Sequence, residues 1–450
     1  MSKTKILSLI ITILIYGILI FYPTQSIVVE APEYQNKILS EDLLNVNQIL
    51  NSRTSQIIDE SLSRYSKMTG FNGVVMIVKN GDLIYNKAFG YANSGRNKIP
   101  LSTEMPFQLA SVSKQFTATA IMKLKQDGLL DYNDNVSKYI PEFPYNDVTI
   151  KQLLNHTGGM FNYMYLLENQ WDCEEKFATN DTLIKMISKS EMPLYFTPGK
   201  RFDYSNTGYA VLASVVEHIS NKPFSDFMND HFFNPLGMKN TYVSTGTNIT
   251  ENSVNGFFRY RRGLAPIEYT VHDGIVGDKG VYSTSWDMYK WDKSLYNNKI
   301  LSEEVLEEAF NPTIIGKRKV VPYGYGFRLK EEDGQKVVYH NGVWEGFRIN
   351  YYRYPETEST ILVMNNCGFN ISSLTSRIKS LMNEIENEEA ETKFVITSIL
   401  NGNKEEAQSA YNLAIEEDNF NQEKFDLIAN YLWENRYFQF YEDFLSIVSN

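Results

Sequence analysis

The chain has 450 residues, with 43 Lys+Arg against 54 Asp+Glu and 43% hydrophobic residues, enough for two or three domains around a sizeable core. A formal net charge of -11 argues against a nucleic-acid binder, which needs a basic face to neutralise phosphates. Aromatic content of 14% excludes long disorder, and two cysteines, Cys173 and Cys367, exclude a disulfide scaffold or a cysteine-based zinc cluster while leaving one bridge open.

Residues 1–26 begin with Lys3 and Lys5, continue as an uncharged apolar run from Ile6 to Tyr22, and stop at Pro23. This is the layout of a secretory signal, with Thr24-Gln25-Ser26 as the cleavage site. An uncleaved membrane anchor over residues 6–22 is the alternative, because the run reaches the lower limit of a spanning helix. Either one exports the rest of the chain. Residues 381–450 hold 15 acidic and 4 basic side chains, so the acidity belongs to the tail and a boundary is expected near residue 380.

Residues 27–54 form a lead-in segment, inside which apolar positions take up helical spacing from Ser40 to Met68. Two β-rich runs over residues 73–91 meet at Asn80-Gly81, a tight-hairpin signal. A helix apolar over much of its surface is expected from Ser111 to Leu130, followed by a mostly helical stretch over residues 145–270. Strand-like runs return at Tyr323–Lys330, Lys336–Tyr339, Gly346–Tyr354 and Thr360–Met364, and helices resume at Ser372. The expected fold is α/β: an antiparallel sheet built from both ends of residues 55–380, flanked by helices, with a mostly helical subdomain and an acidic helical extension over 381–450.

Chemistry concentrates in FQLASVSK. Ser111 and Lys114 are three residues apart at a helix start, so their side chains share one face. The helix N-terminus favours negative charge, and the Ser111 N–H can donate to an oxyanion. A buried lysine one turn away can take the serine proton if burial lowers its pKa toward neutrality. The spacing alone is weak evidence, since Ser2–Lys5 and Ser376–Lys379 repeat it. Two further triplets strengthen it by their order and setting: Tyr204-Ser205-Asn206 before an apolar helix, and His340-Asn341-Gly342 at the end of a strand-like run. Singly they also carry little, as Tyr34, Tyr91, Tyr296, Tyr339, His156 and His272 begin matching triplets.

With FQLASVSK, PGKRFDYSNTGY, HNG, TIKQLLNHTGGM, GVYSTSWDMYKW and YGYGF in order, residues 55–380 resemble the serine β-lactamase and penicillin-binding-protein superfamily, in its class C-like branch of D-amino peptidases and esterases. The resemblance implies an acylated nucleophile at Ser111, an acid/base pair in Lys114 and Tyr204, and a substrate hydrogen bond from Asn206. It also implies substrate contacts at His340 and Gly342, with an oxyanion hole from the N–H groups of Ser111 and Val343. β-Lactamases of this branch usually carry lysine where His340 stands; histidine, mostly uncharged at neutral pH, ranks an esterase or D-amino peptidase first. A β-lactamase or penicillin-binding DD-carboxypeptidase is the alternative, and a non-catalytic sensor the second. Glu41–Asn45 echoes a class A element but precedes the serine, which is the wrong order.

The expected substrate is a small ester or D-peptide, cell-wall peptides included. No cofactor is expected, and no His/Asp/Glu cluster has metal spacing. His156 reads as a turn residue beside the site, His272 as part of a Gly-rich loop, and His218 and His231 as ordinary helix residues. Residues 161–198, with Tyr163, Tyr165, Trp171 and Tyr195, are expected to wall the site. Ser113 falls on a different helix face from the nucleophile. The tail aromatics, among them Phe394, Tyr411, Phe425, Trp433 and Phe444, imply a packed helical subdomain, with a protein-partner surface as the functional alternative.

Overall fold

The computed structural model describes residues 40–93, 98–172, 174–260, 263–297, 299–416, 420–435 and 437–448. The apolar leader at 1–26 and Cys173 lie outside them. The chain divides into two compact units, residues 51–386 and residues 1–50 with 387–450.

In the larger unit β1 (Gly73–Lys79) and β2 (Asp82–Phe89) turn at Asn80 and Gly81, whose φ of 51° and 81° are the left-handed pair that a two-residue hairpin needs. The chain then leaves this sheet. It returns near residue 328 as β6 (Arg328–Glu332), β7 (Gln335–Trp344), β8 (Phe347–Tyr354) and β9 (Ser359–Asn365). Among the described residues these six strands run β6-β7-β8-β9-β1-β2, with every neighbour antiparallel. Pairing of β1 with β9 places both ends of the unit at adjacent positions in the sheet.

The period-2 alternation of these strands separates two cores. Val74, Met76 and Val78 of β1 face the main core with Leu362 and Met364 of β9. Val75 and Ile77, with Ile361 and Val363, face Ile58 and Leu62 of α1 (Ser40–Thr69) on the other side. Leu374, Ile378 and Met382, from the helix that starts at Ser372, complete that second layer.

At the centre of the main core lies α2 (Lys114–Gln126), buried continuously from Lys114 to Met122. Phe116 stacks on Trp291 with ring centroids 4.2 Å apart. The helix stops at Gln126 rather than at the expected Leu130, because Gly128 adopts φ 74° and turns the chain; Leu129 is then 54% exposed. Another difference is a three-stranded sheet, β3 (Phe107–Gln108), β4 (Tyr242–Val243) and β5 (Val281–Ser283), in the order β3-β5-β4. Strands of two or three residues are too short to show a period. Conversely, Tyr323–Phe327, expected as strand, is a loop, since Gly326 sits at φ 78° against the backbone of Lys114 and Gln115.

In the smaller unit, helices Lys404–Glu416, Gln422–Glu434 and Phe438–Val448 follow the one that ends at Leu400. They share a core of their own around Val395, Ile399, Phe425, Ile428, Leu432 and Phe444. Phe394 and Trp433 remain about half exposed.

Candidate active site

Ser111 does not sit on the α-helix itself. It lies in a 3-10 turn, Ala110–Ser113, that leads into α2 (Lys114–Gln126). The first N–H to bond back is that of Val112, to the Leu109 carbonyl at 3.1 Å, so the turn makes no use of the Ser111 N–H. Two constraints hold the turn. Leu109 N–H donates to the Val281 carbonyl at 2.8 Å, and the Ser113 hydroxyl accepts from Val281 N–H at 3.1 Å. Ala110, fully buried, is forced to φ 51°, a left-handed conformation that costs a non-glycine residue about 1 kcal/mol. Strand β7 closes on the turn at Gly342, where an added Cβ would stand 2.4 Å from the Leu109 carbonyl oxygen. That approach carries Val343, the other expected oxyanion-hole residue, alongside the turn.

Lys114 is fully buried. Its Nζ donates to Asn206 Oδ1 and to the Asp278 carbonyl, both at 2.8 Å, and lies 3.3 Å from Ser111 Oγ. Burial drives its pKa from 10.5 down to about 7; the Asp278 charge opposes the shift and Arg328 adds to it. A neutral amine has two N–H donors and one lone pair. Two carbonyl acceptors and one hydroxyl match that inventory.

Tyr204 reaches the site from the segment ahead of α3 (Asn206–Ser220). Ser205 caps that helix by accepting from Gly208 N–H, which turns the chain so that Tyr204 and Asn206 both reach Lys114. Lys114 Nζ lies 4.9 Å from the Tyr204 ring centroid. The phenol oxygen is buried without a well-formed hydrogen bond. Burial raises its pKa far above 10, while the nearby Ser111 hydroxyl and the Arg328 charge pull it down.

His156 buttresses this tyrosine. At φ 59° it turns the chain after the short helix Ile150–Leu154, and its Nδ1 accepts from Ser205 N–H at 3.1 Å. Its ring centroid is 4.4 Å from that of Tyr204 and 4.5 Å from that of Tyr323. Burial first, then the Lys114 charge, hold it well below 6.5, so it is a neutral acceptor.

His340 is 1% exposed, and its two ring nitrogens meet Tyr323 Oη at 3.2 Å and the Asn341 carbonyl at 2.8 Å. Burial and the Lys114 charge keep it neutral. The ring therefore lies beneath Tyr204, 6.0 Å between centroids, as part of the aromatic floor. Ser111, Lys114, Tyr204, Asn206, His340, Gly342 and Val343 thus come from three separate segments of the chain into one cluster. The Ser376–Lys379 repeat lies elsewhere, where Lys379 pairs with Glu332 at 2.7 Å.

Residues 58–380 match the family model described as Beta-lactamase. The chain belongs to that family. It is a serine hydrolase of the β-lactamase and penicillin-binding-protein group. It is 35% identical over 309 residues to a penicillin-binding protein of Bacillus subtilis (strain 168), covering 66% of this chain and 68% of the relative. A penicillin-binding protein from Bacillus halodurans matches in structure with a TM-score of 0.63 and 25% identity, covering 71% of this chain and 98% of that one. The D-amino acid amidase from Ochrobactrum anthropi SV3 shares the fold at a TM-score of 0.59 and 23% identity, covering 77% of this chain and 99% of that one.

Several residues that pack into this cluster escaped the sequence reading. Asp278 supplies the carbonyl that orients Lys114, while its carboxylate is 1% exposed and meets Tyr163 Oη at 3.2 Å and Lys279 Nζ at 3.5 Å. Its only sequence signal is its place in the Gly-rich loop after His272. Tyr323 opens the YGYGF run and Arg328 follows it, and the run gave no hint that either side chain turns toward Tyr204. Of the expected wall, Tyr163 is buried against Lys279, whereas Tyr165 and Tyr195 are more than half exposed.

Proposed function

We propose that the chain is an exported serine hydrolase that cleaves an ester or a D-amino-acid amide through an acyl-enzyme on Ser111. The observation that carries this reading is the Lys114 amine, buried, held on two carbonyl oxygens and aimed at Ser111 Oγ. Ser111 Oγ attacks the substrate carbonyl carbon as its proton passes to Lys114 Nζ. The oxyanion falls to the N–H groups of Ser111 and Val343. Collapse breaks the bond to the leaving group, which takes a proton from Tyr204, and Tyr204 recovers one from Lys114. Water then repeats the sequence on the ester and frees the acid. Because Lys114 and Tyr204 are adjacent, their protons titrate as a pair.

Neutral His340 supports an ester or amide over a substrate that must be gripped by its carboxylate. The apolar segment Ile6–Tyr22 and the likeness to penicillin-binding proteins support an extracytoplasmic site of action. The same likeness favours a second reading, a penicillin-binding DD-carboxypeptidase or β-lactamase.

A pre-steady-state assay of the purified full chain with a p-nitrophenyl ester tests both readings. A burst near one equivalent, abolished in Ser111→Ala, is the expected result. Slow linear release, equal in both proteins, would overturn the esterase reading. Trapping of Ser111 by a penicillin would then establish the second.

A further inference from the structure

The proposed base creates an electrostatic problem. When Lys114 is neutral and ready to take the serine proton, the phenol of Tyr204 loses the positive charge nearest to it. The groups around that phenol come from several segments. His156 and His340 are held neutral by burial. Tyr209 and Tyr323 are buried phenols whose pKa values burial pushes well above 10. Asp278 brings negative charge, and Lys279 is engaged with that carboxylate and with Tyr163.

Arg328 is the remaining charge. Its guanidinium carbon stands 5.0 Å from the Tyr204 ring centroid and 5.9 Å from that of Tyr323. The backbone fixes it from two sides, pairing Arg328 with Tyr339 in β7 and with Tyr323 in an isolated bridge. Among the described residues the guanidinium has no carboxylate within ion-pair distance and no side-chain hydrogen bond. A cation so placed is not spent on a structural pair, and a guanidinium keeps its charge where an amine loses it. Its potential falls on Lys114, Tyr204, His156 and His340 alike, disfavouring a further positive charge and favouring phenolate character.

We infer that Arg328 is a positioning residue of the acylation step: it is the permanent cation that, through Tyr204, lets the Lys114–Tyr204 pair act as a base while Lys114 is uncharged. This rests on the acyl-enzyme reading above.

The test is the pH dependence of burst-phase acylation by a neutral p-nitrophenyl ester, in the full chain and in Arg328→Gln, Arg328→Met and Arg328→Lys. Removing the cation raises the pKa of the base, so the ascending limb moves to higher pH. Arg328→Gln and Arg328→Met should shift it by about one unit and slow acylation about fivefold at pH 7, approaching about tenfold at lower pH. The rate should recover on the alkaline plateau, and Arg328→Lys should keep the limb in place. If the glutamine variant does not fold, the methionine variant carries the same prediction. A lowered plateau with an unmoved limb would overturn the inference, leaving Arg328 a packing role. Loss confined to a D-peptide with a free carboxylate, with the neutral ester unaffected, would also overturn it and assign the guanidinium to substrate binding. Absence of any Ser111-dependent burst in the unmodified chain would instead sink the acyl-enzyme reading itself.

Discussion

Lys114 Nζ lies 3.3 Å from Ser111 Oγ, and its other two contacts are carbonyl oxygens at 2.8 Å. A pKa lowered by burial to about 7 makes the neutral amine available at physiological pH. If Lys114 is the base of the proposed acyl-enzyme route it must be deprotonated to act, so kcat/KM should rise with pH through an apparent pKa near 7 and level off above it. Lys114→Ala should lower kcat/KM by about 10²–10⁴ and remove that limb. A variant retaining the limb would place the titration elsewhere.

The same shift has a stability consequence of opposite sign to the usual salt bridge. The folded pKa is below the unfolded 10.5, so the unfolded chain binds the extra proton between about 7 and 10.5. Folding is penalised most below 7, and the penalty fades as pH rises toward 10.5. Lys114→Met should therefore raise the Tm most at pH 6, with a gain that shrinks by pH 9. A gain independent of pH would show that packing, not charge, is responsible.

The sequence carried the local parts of this architecture because local physics fixes them. Asn80-Gly81 makes a hairpin with any partners, and three-residue spacing brings Ser111 and Lys114 onto one face in a 3-10 turn as well as in an α-helix. Illegible were the relationships made by the tertiary fold. Nothing local to LLNHTGG says that His156 accepts from Ser205 N–H. Nothing local to GDKG says that the Asp278 backbone, more than its carboxylate, orients Lys114. Asn206, expected to donate to substrate, also offers its oxygen to Lys114, a contact spanning 92 residues.

His156 and His340 make the fold acid-sensitive. Both are buried and held well below 6.5, so as pH falls through 6.5 the unfolded chain takes up protons that the folded chain refuses. Stability is full above that pH and falls below it, by up to about 1.4 kcal/mol per pH unit for each histidine. Urea midpoints measured at pH 7, 6 and 5 should decline accordingly. His156→Gln, which cannot titrate, should flatten the decline by about half; an unchanged slope would point to other groups.

Gly342 sets the distance between β7 and the turn that carries Ser111. A methyl there would lie 2.4 Å from the Leu109 carbonyl oxygen, and backbone cannot swing aside as a long side chain can. Gly342→Ala should push the strand away and separate the N–H groups of Val343 and Ser111. A displacement near 1 Å costs about 10²-fold in rate, so kcat/KM should fall by about that factor. Gly334, whose added Cβ meets nothing within 4 Å, stands at φ 75° in the turn before β7 and provides the control. Gly334→Ala should leave kcat/KM unchanged.

Asp292 and Arg353 are both fully buried, with Nε to Oδ1 at 2.6 Å. Tyr351 and Thr360 also donate to Oδ1, at 2.7 and 3.0 Å. Asp292 Oδ2 and Arg353 Nη1 are buried without a hydrogen-bond partner, so the two desolvated charges contribute little net stability as a pair, but removing one leaves the other buried and unpaired. Asp292→Asn should therefore destabilise the chain by about 3–5 kcal/mol in urea melts, with Arg353 as the stranded charge. The surface pair Lys185–Asp181 has the same 2.6 Å separation yet both side chains are more than 60% exposed. Water screens that pair, so Asp181→Asn should hardly move the midpoint. Equal effects from the two substitutions would mean that burial does not govern the cost. Asp292→Ala paired with Arg353→Met should recover much of the loss, because it removes both charges together.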